Sequence, residues 1–177
     1  MTQSNAPSDG SDFFAGPKSD VESRAAALVN PASGLANDYL NLFNEVVMLI
    51  EQLPEMPELI DDLLAWRPTT YRDYFDRSIL PGRHSALDAY GELNRHFRHK
   101  FEAIVAELDR IATASVAVIR DHLHKKGFAE PGVLAELCAK AGATMRNVLE
   151  RASTTVNHGI AEAAENAQCR ADRLLGA

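Results

Sequence analysis

The stretch Ser85–Lys126, SALDAYGELNRHFRHKFEAIVAELDRIATASVAVIRDHLHKK, decides the fold class. It contains no proline, and its apolar residues recur at helical spacing from end to end. At about 1.5 Å per residue such a helix is a rod of about 60 Å, against a usual length of about 11–12 residues. A rod of that length needs partners along its whole apolar face, and the flanking segments must supply them. Tyr90, Phe97, Ile104, Ile111 and Val118 are spaced seven apart, with Leu87, Phe101 and Leu108 at the companion position. A strict heptad would continue through Ser115 and His122, whereas the apolar face moves to Ala112, Val116, Ile119 and Leu123. That drift belongs to a nearly straight helix in a globular bundle rather than to a supercoiled zipper.

Beyond the rod, Gly127-Phe128 is a carboxyl-terminal stop, with glycine supplying the left-handed residue. Pro131 then opens a last helix, predicted to span about 131–174. Its stripe is Leu134, Leu137, Cys138, Ala141, Met145, Val148, Leu149, Ala152, Val156, Ile160, Ala163 and Ala167. The short turn between the two long helices makes them antiparallel neighbours. Ser153-Thr154-Thr155-Val156 before Gly159 is poor helix material and a predicted kink. Because the stripe shrinks to alanine, the end of the chain is expected to fray or to be held by another chain, and a homo-oligomer through the long helices is a further expectation.

Upstream, Ser85 is the expected cap of the rod, with Asp88 at its third position, after a turn through Ser78–His84. Thr70-x-x-Asp73 reads as a capping box for a short helix, Tyr71–Arg77. Arg67-Pro68 separates it from another short helix, Glu58–Trp66, opened by Pro57. Leu35, Tyr39, Leu42, Phe43, Val46, Val47, Ile50 and Leu53 mark a longer helix at about 31–53. Asn30 is its predicted cap and Pro54 its end. Residues 1–30 are rich in Ser, Asp, Gly, Pro and Asn and read as a disordered tail. Within it, Phe13-Phe14 is either a loose contact on the body or a docking motif.

The predicted architecture is an all-α antiparallel bundle, a single domain at 31–177. It has two long helices (about 85–126 and 131–174), a third packing helix (about 31–53) and short capping helices (58–77). With 177 residues, of which 46% are hydrophobic and 24% charged, the chain has ordinary globular composition. Its net charge of −7 argues against general affinity for nucleic acid. All of that excess falls within Pro31–Trp66, which holds seven acidic residues and no basic one. No secretory signal or membrane-spanning run is visible, so the expected location is cytoplasmic. Arginine and alanine usage fits a GC-rich bacterial source. Cys138 and Cys169 fall about 46 Å apart on one continuous helix and cannot pair there.

Three groups of residues stand out. Asn37, Asp38, Asn41, Asn44 and Glu45 form a polar stripe on the first helix, although Asn and Asp are mediocre helix formers. The stripe faces water, recognises a partner or forms a buried network. Trp66, Arg67, Tyr71, Arg72, Tyr74 and Phe75 form an aromatic and basic cluster, either a cap over the bundle end or an anchor for a protein partner. In Arg95-His96-Phe97-Arg98-His99-Lys100-Phe101-Glu102, the two phenylalanines point inward, while Arg95, His99 and Glu102 share the opposite face. His96 and His99, or His99 and Glu102, supply two metal ligands where a site needs three or four. No paired Glu-x-x-His motif, nucleophile with a local base, or phosphate-cradling glycine loop is present, so no metal, cofactor or catalytic residue is expected.

Glu92-Leu93-Asn94-Arg95-His96-Phe97-Arg98-His99 resembles the phosphotransfer hairpin of some sensor kinases. Arg95 holds the place of their phospho-accepting histidine, with His96 displaced by one. That resemblance implies phosphotransfer through His96 or His99. Thr70-Tyr71-Arg72-Asp73-Tyr74-Phe75 is similar to the end of the helix-turn-helix in TetR-like repressors, except that Tyr71 and Phe75 are four apart and an acidic segment precedes them. In general build the long, alanine-rich amphipathic helices are similar to phasins, which implies a coat on an apolar granule surface. The expected function is nevertheless a non-catalytic adaptor or scaffold, presenting the first helix and the aromatic cluster to a protein partner.

Overall fold

The computed structural model describes residues 28–159. The Phe13-Phe14 pair, most of the predicted tail, Cys169 and the predicted frayed end lie outside the described residues. Six α-helices follow in order: α1 Asn41–Gln52, α2 Ile60–Ala65, α3 Tyr71–Arg77, α4 Arg83–Glu92, α5 Arg95–Lys126 and α6 Pro131–His158. Single 3-10 turns, Asn37–Leu40 and Pro57–Leu59, lead into α1 and α2. The bundle is all-α, and the described residues hold no β element beyond one isolated bridge, Val29 with Ala36.

Helix α6 is the shared wall of the bundle, with α5 along it in antiparallel sense and α1 also packed against it. Most of the expected stripe positions are buried or half-buried, but Val118 is 51% exposed. Phe43, Val46, Val47, Ile50 and Leu53 meet Leu134, Cys138, Met145, Leu149, Ala152 and Val156 in a core shared with Phe97, Phe101, Leu108, Ala112 and Ile119. Close packing of α1 on α6 depends on Gly142, where a Cβ would come within 2.7 Å of the Glu51 side chain. One turn further on, Arg146 clasps the Glu51 carboxylate with two hydrogen bonds, its Nε donating to Oε1 at 2.7 Å. That bidentate contact holds the Glu51 carboxyl below its ordinary range.

The predicted unbroken rod is two helices. Leu93 and Asn94 are extended, with ψ of 140° and 131°. The Asn94 side-chain oxygen accepts from the backbone N–H of His96 at 2.9 Å and of Phe97 at 3.4 Å, so it caps α5. Leu93 packs at the Gly34 turn, where a Cβ on Gly34 would come 2.9 Å from Leu93 Cδ2. Ser85 lies inside α4, whose amino-terminal cap is Gly82 with φ of 90°.

The first helix also starts later than expected. Asn30 closes a turn instead of opening a helix: its carbonyl accepts from Ser33 and Gly34, and its side chain accepts from Ala32 N–H at 2.9 Å. Gly34 then turns left-handed (φ 72°), which breaks helical propagation before Asn37. Leu28 and Val29 pack against the core, and the Asn30 side chain donates to Asn157 Oδ1. The predicted short helix Glu58–Trp66 is a 3-10 turn followed by α2, with Trp66 already extended. Helix α3 has its predicted bounds, and Thr70 Oγ1 accepts from Asp73 N–H at 3.1 Å. Ser153–Val156 does not end α6, which runs on to His158; the Thr155 hydroxyl donates back to the Arg151 carbonyl.

Candidate functional site: an acidic outer face over a buried aromatic cluster

All four tyrosines of the chain lie in one aromatic cluster that joins α1, α3, α4 and α5. Tyr39 sits edge-on to Phe43 and Tyr74, and Tyr71 stacks on Tyr90 with ring centroids 4.5 Å apart. Trp66, Tyr71 and Phe75 are buried. Their polar atoms are spent inside the fold: Trp66 Nε1 donates to the Leu42 carbonyl at 3.1 Å, and Tyr71 Oη accepts from Ala36 N–H at 2.9 Å. Tyr39 Oη donates to the Thr69 carbonyl at 2.8 Å. Burial pushes the Tyr71 phenol up to about 12 and raises Tyr74 as well. The cluster thus fastens α1 to the short helices, with Trp66 only 8% and Tyr71 only 4% exposed. Arg67 is exposed and donates to the Leu64 and Trp66 carbonyls, satisfying the end of α2. Arg72, also exposed, lies 5.5 Å from the centroid of Tyr90, and half-buried Tyr74 packs edge-on against Phe75.

The polar stripe divides in two. Asn37 donates to Asn157 Oδ1 at 3.0 Å, as does Asn30 at 3.4 Å, so Asn37 ties the start of α1 to the end of α6. Asp38 is half-buried beside Tyr71 and Tyr74, whose phenols its charge helps to raise. Asn41, Asn44 and Glu45 lie on the outer face of α1, which also carries Met48 at 44% exposure. Past Gln52 the same acidic segment exposes Glu55, Met56 (40% exposed), Glu58, Asp61 and Asp62. None of these five carboxylates, Glu45, Glu55, Glu58, Asp61 and Asp62, has an ion-pair partner among the described residues. Sequence reading found the acidity but not the two exposed methionines that accompany it.

His96 and His99 are both exposed on α5, and His99 Nδ1 lies 3.5 Å from Glu102 Oε2. Phe97 and Phe101 point inward as expected. Among the described residues, no three His, Cys, Asp or Glu side chains converge as a metal site. Cys138 is buried in the α6 stripe, and burial pushes its thiol up to about 11, which keeps it protonated near neutrality. No described helix is long and apolar enough to cross a membrane. No protein-family model, curated protein or solved structure matches the chain.

Proposed function

We propose that the chain is a non-catalytic helical adaptor whose partner is a protein segment carrying both Lys/Arg and apolar side chains. The observation that carries this reading is the outer face of α1 and its continuation. There, Glu45, Glu55, Glu58, Asp61 and Asp62, without ion-pair partners among the described residues, are exposed in the same segment as Met48 and Met56. Like charges crowded on one side repel one another, and a cationic partner relieves that repulsion and is steered toward it. Methionine supplies a soft apolar contact that adapts to the partner's shape. The buried aromatic cluster supports this face from behind rather than contacting the partner itself.

The test is affinity purification of the full chain from its native cell, beside a Glu45→Lys, Met48→Glu variant with an unchanged circular dichroism spectrum. The expected result is a partner with a basic segment that is retained by the wild type, lost by the variant and released by moderate salt. An identical set of captured proteins for both chains would sink the reading. Trp66→Ala is unsuitable, because removing that buried indole disturbs the bundle itself.

A second reading, the coat on an apolar surface, draws on the groove between α5 and α6. It encloses about 360 Å³ and includes Ile111, Ala114, Val118, Leu137 and Ala141 in its lining. Partition of the full chain onto hydrophobic droplets, abolished by Val118→Glu, is its expected result; a chain that stays in solution excludes it.

A further inference from the structure

The groove between α5 and α6 is lined by Ile111, Val118, Leu137 and Ala141, with Val118 51% exposed. Its lining belongs to these two helices alone. Arg110 and Lys140 also line it, and both are exposed. No Asp or Glu does, and neither cation has an ion-pair partner among the described residues. An apolar patch flanked by cations marks a contact site, and its charge narrows what can fill it. A second copy meeting this face across a two-fold axis doubles the cations in one interface. The segment after Gly159 brings its Leu174-Leu175 pair with Arg170 and Arg173 close beside it. What fits is apolar bulk accompanied by carboxylates.

Outside the described residues, the stretch Asp9-Gly10-Ser11-Asp12-Phe13-Phe14 has that character, with two carboxylates, two adjacent aromatic side chains and no basic residue. We propose that Phe13-Phe14 docks in the α5–α6 groove of its own chain, with its rings on Val118 and Leu137 and the carboxylates of Asp9 and Asp12 toward Arg110 and Lys140. The reach suffices. The Asn30 side chain donates to Asn157 Oδ1, so the described residues begin beside that end of α6. From Asn157, Thr144 and Leu137 lie about 20 and 30 Å back along the helix. The chain from Phe14 to Leu28 spans up to about 46–50 Å, enough also to round a helix of about 10–12 Å diameter. Such a tether presents the pair to the groove at about millimolar effective concentration, so a contact too weak to hold a free peptide still closes. Two phenylalanines also bring large apolar area with few rotamers to fix. A second basic cleft, whose lining includes Leu64, Trp66, Arg67, Val116 and Arg120, is a poorer seat, because Arg67 already donates to the Leu64 and Trp66 carbonyls. The docked pair covers the apolar surface that a granule coat would use, and the proposal rests on neither reading of function.

The experiment is methyl-detected NMR of the full chain, wild type beside a Phe13→Ser, Phe14→Ser variant whose changes lie outside the bundle. The expected result is nuclear Overhauser contacts from the Phe13 or Phe14 ring to methyl groups of Ile111, Val118 and Leu137. In the variant those contacts vanish and the three residues' methyls shift, while core methyls such as those of Val46 and Ile50 stay in place. Arg110→Glu with Lys140→Glu is expected to lower the ratio of docked to free tail by about threefold or more, and high salt to weaken docking in the wild type. Any of five results would overturn the proposal. Groove methyls identical in wild type and variant would leave the groove empty of the pair. Contacts to Leu64 and Val116 instead would seat it in the Trp66 cleft. Contacts found only between differently labelled copies would make a second copy the occupant. Groove methyls that respond to Leu174→Ser with Leu175→Ser, and not to the phenylalanine changes, would assign the groove to the segment after Gly159. Docking indifferent to the charge reversal would remove the role of Arg110 and Lys140.

Discussion

Tyrosine is the residue whose behaviour most directly reports the core. Burial is the largest influence on all four phenols, and each is raised above its ordinary value of 10.0. The sign follows from linkage. An unfolded chain loses its phenolic protons near pH 10, whereas the folded chain keeps them, so the unfolded state is progressively favoured as pH rises above 10. An ultraviolet titration is therefore expected to show little tyrosinate at pH 10–11, followed by a cooperative rise that coincides with loss of helical signal. Early, gradual ionisation of two or more tyrosines would mean that the cluster is open to solvent. Tyr71→Phe adds a sharper test. It removes the acceptor of the buried Ala36 N–H and is expected to destabilise the fold by about 1–3 kcal/mol in urea unfolding.

Among the elements, the break between α4 and α5 separates what the sequence made legible from what it did not. Apolar spacing passes through Tyr90 and Phe97 without interruption, so periodicity alone reads one rod. The decisive signals are local and weak: Asn94, whose side chain replaces two backbone partners, and Gly91, which lowers helix propensity just before it. Thr70-x-x-Asp73 was readable because both of its partners lie within one turn. Burial of Trp66 and Tyr71 was not, since their hydrogen bonds reach 24 and 35 residues along the chain. The acidic outer face was legible as far as Asn41, Asn44 and Glu45, which face solvent. Asn94→Ala discriminates the two architectures. If the cap matters, stability falls by about 1 kcal/mol; if a continuous rod were favoured, the same change would raise it. Gly91→Ala, exposed and with nothing within 4 Å of the added Cβ, is expected to stabilise by about 0.5–1 kcal/mol. Urea unfolding of the two single variants measures both signs.

For the whole molecule, the acidic segment Pro31–Trp66 and the charge-balanced remainder form one electrostatic object. The cost of the uncompensated carboxylates is not shared evenly, because helix ends treat them differently. Asp61 and Asp62 occupy the first turn of α2, where the partial positive charge of the helix terminus favours them. Glu45 lies within α1, and Glu55 lies just past its carboxyl end, where negative charge is disfavoured. Neutralising Glu45 and Glu55 to glutamine is therefore expected to raise the melting temperature by about 1–3 °C at low salt, with the gain shrinking toward zero as salt screens the repulsion. Asp61→Asn with Asp62→Asn is expected to lower it under the same conditions. If the acidic face exists to meet a basic partner, the Glu45→Gln, Glu55→Gln chain also loses partner affinity while gaining stability. Thermal melts at low and high salt, run beside binding on the same samples, measure both quantities. A variant that gained stability and kept full affinity would show the carboxylates to be a solubility feature with no part in recognition.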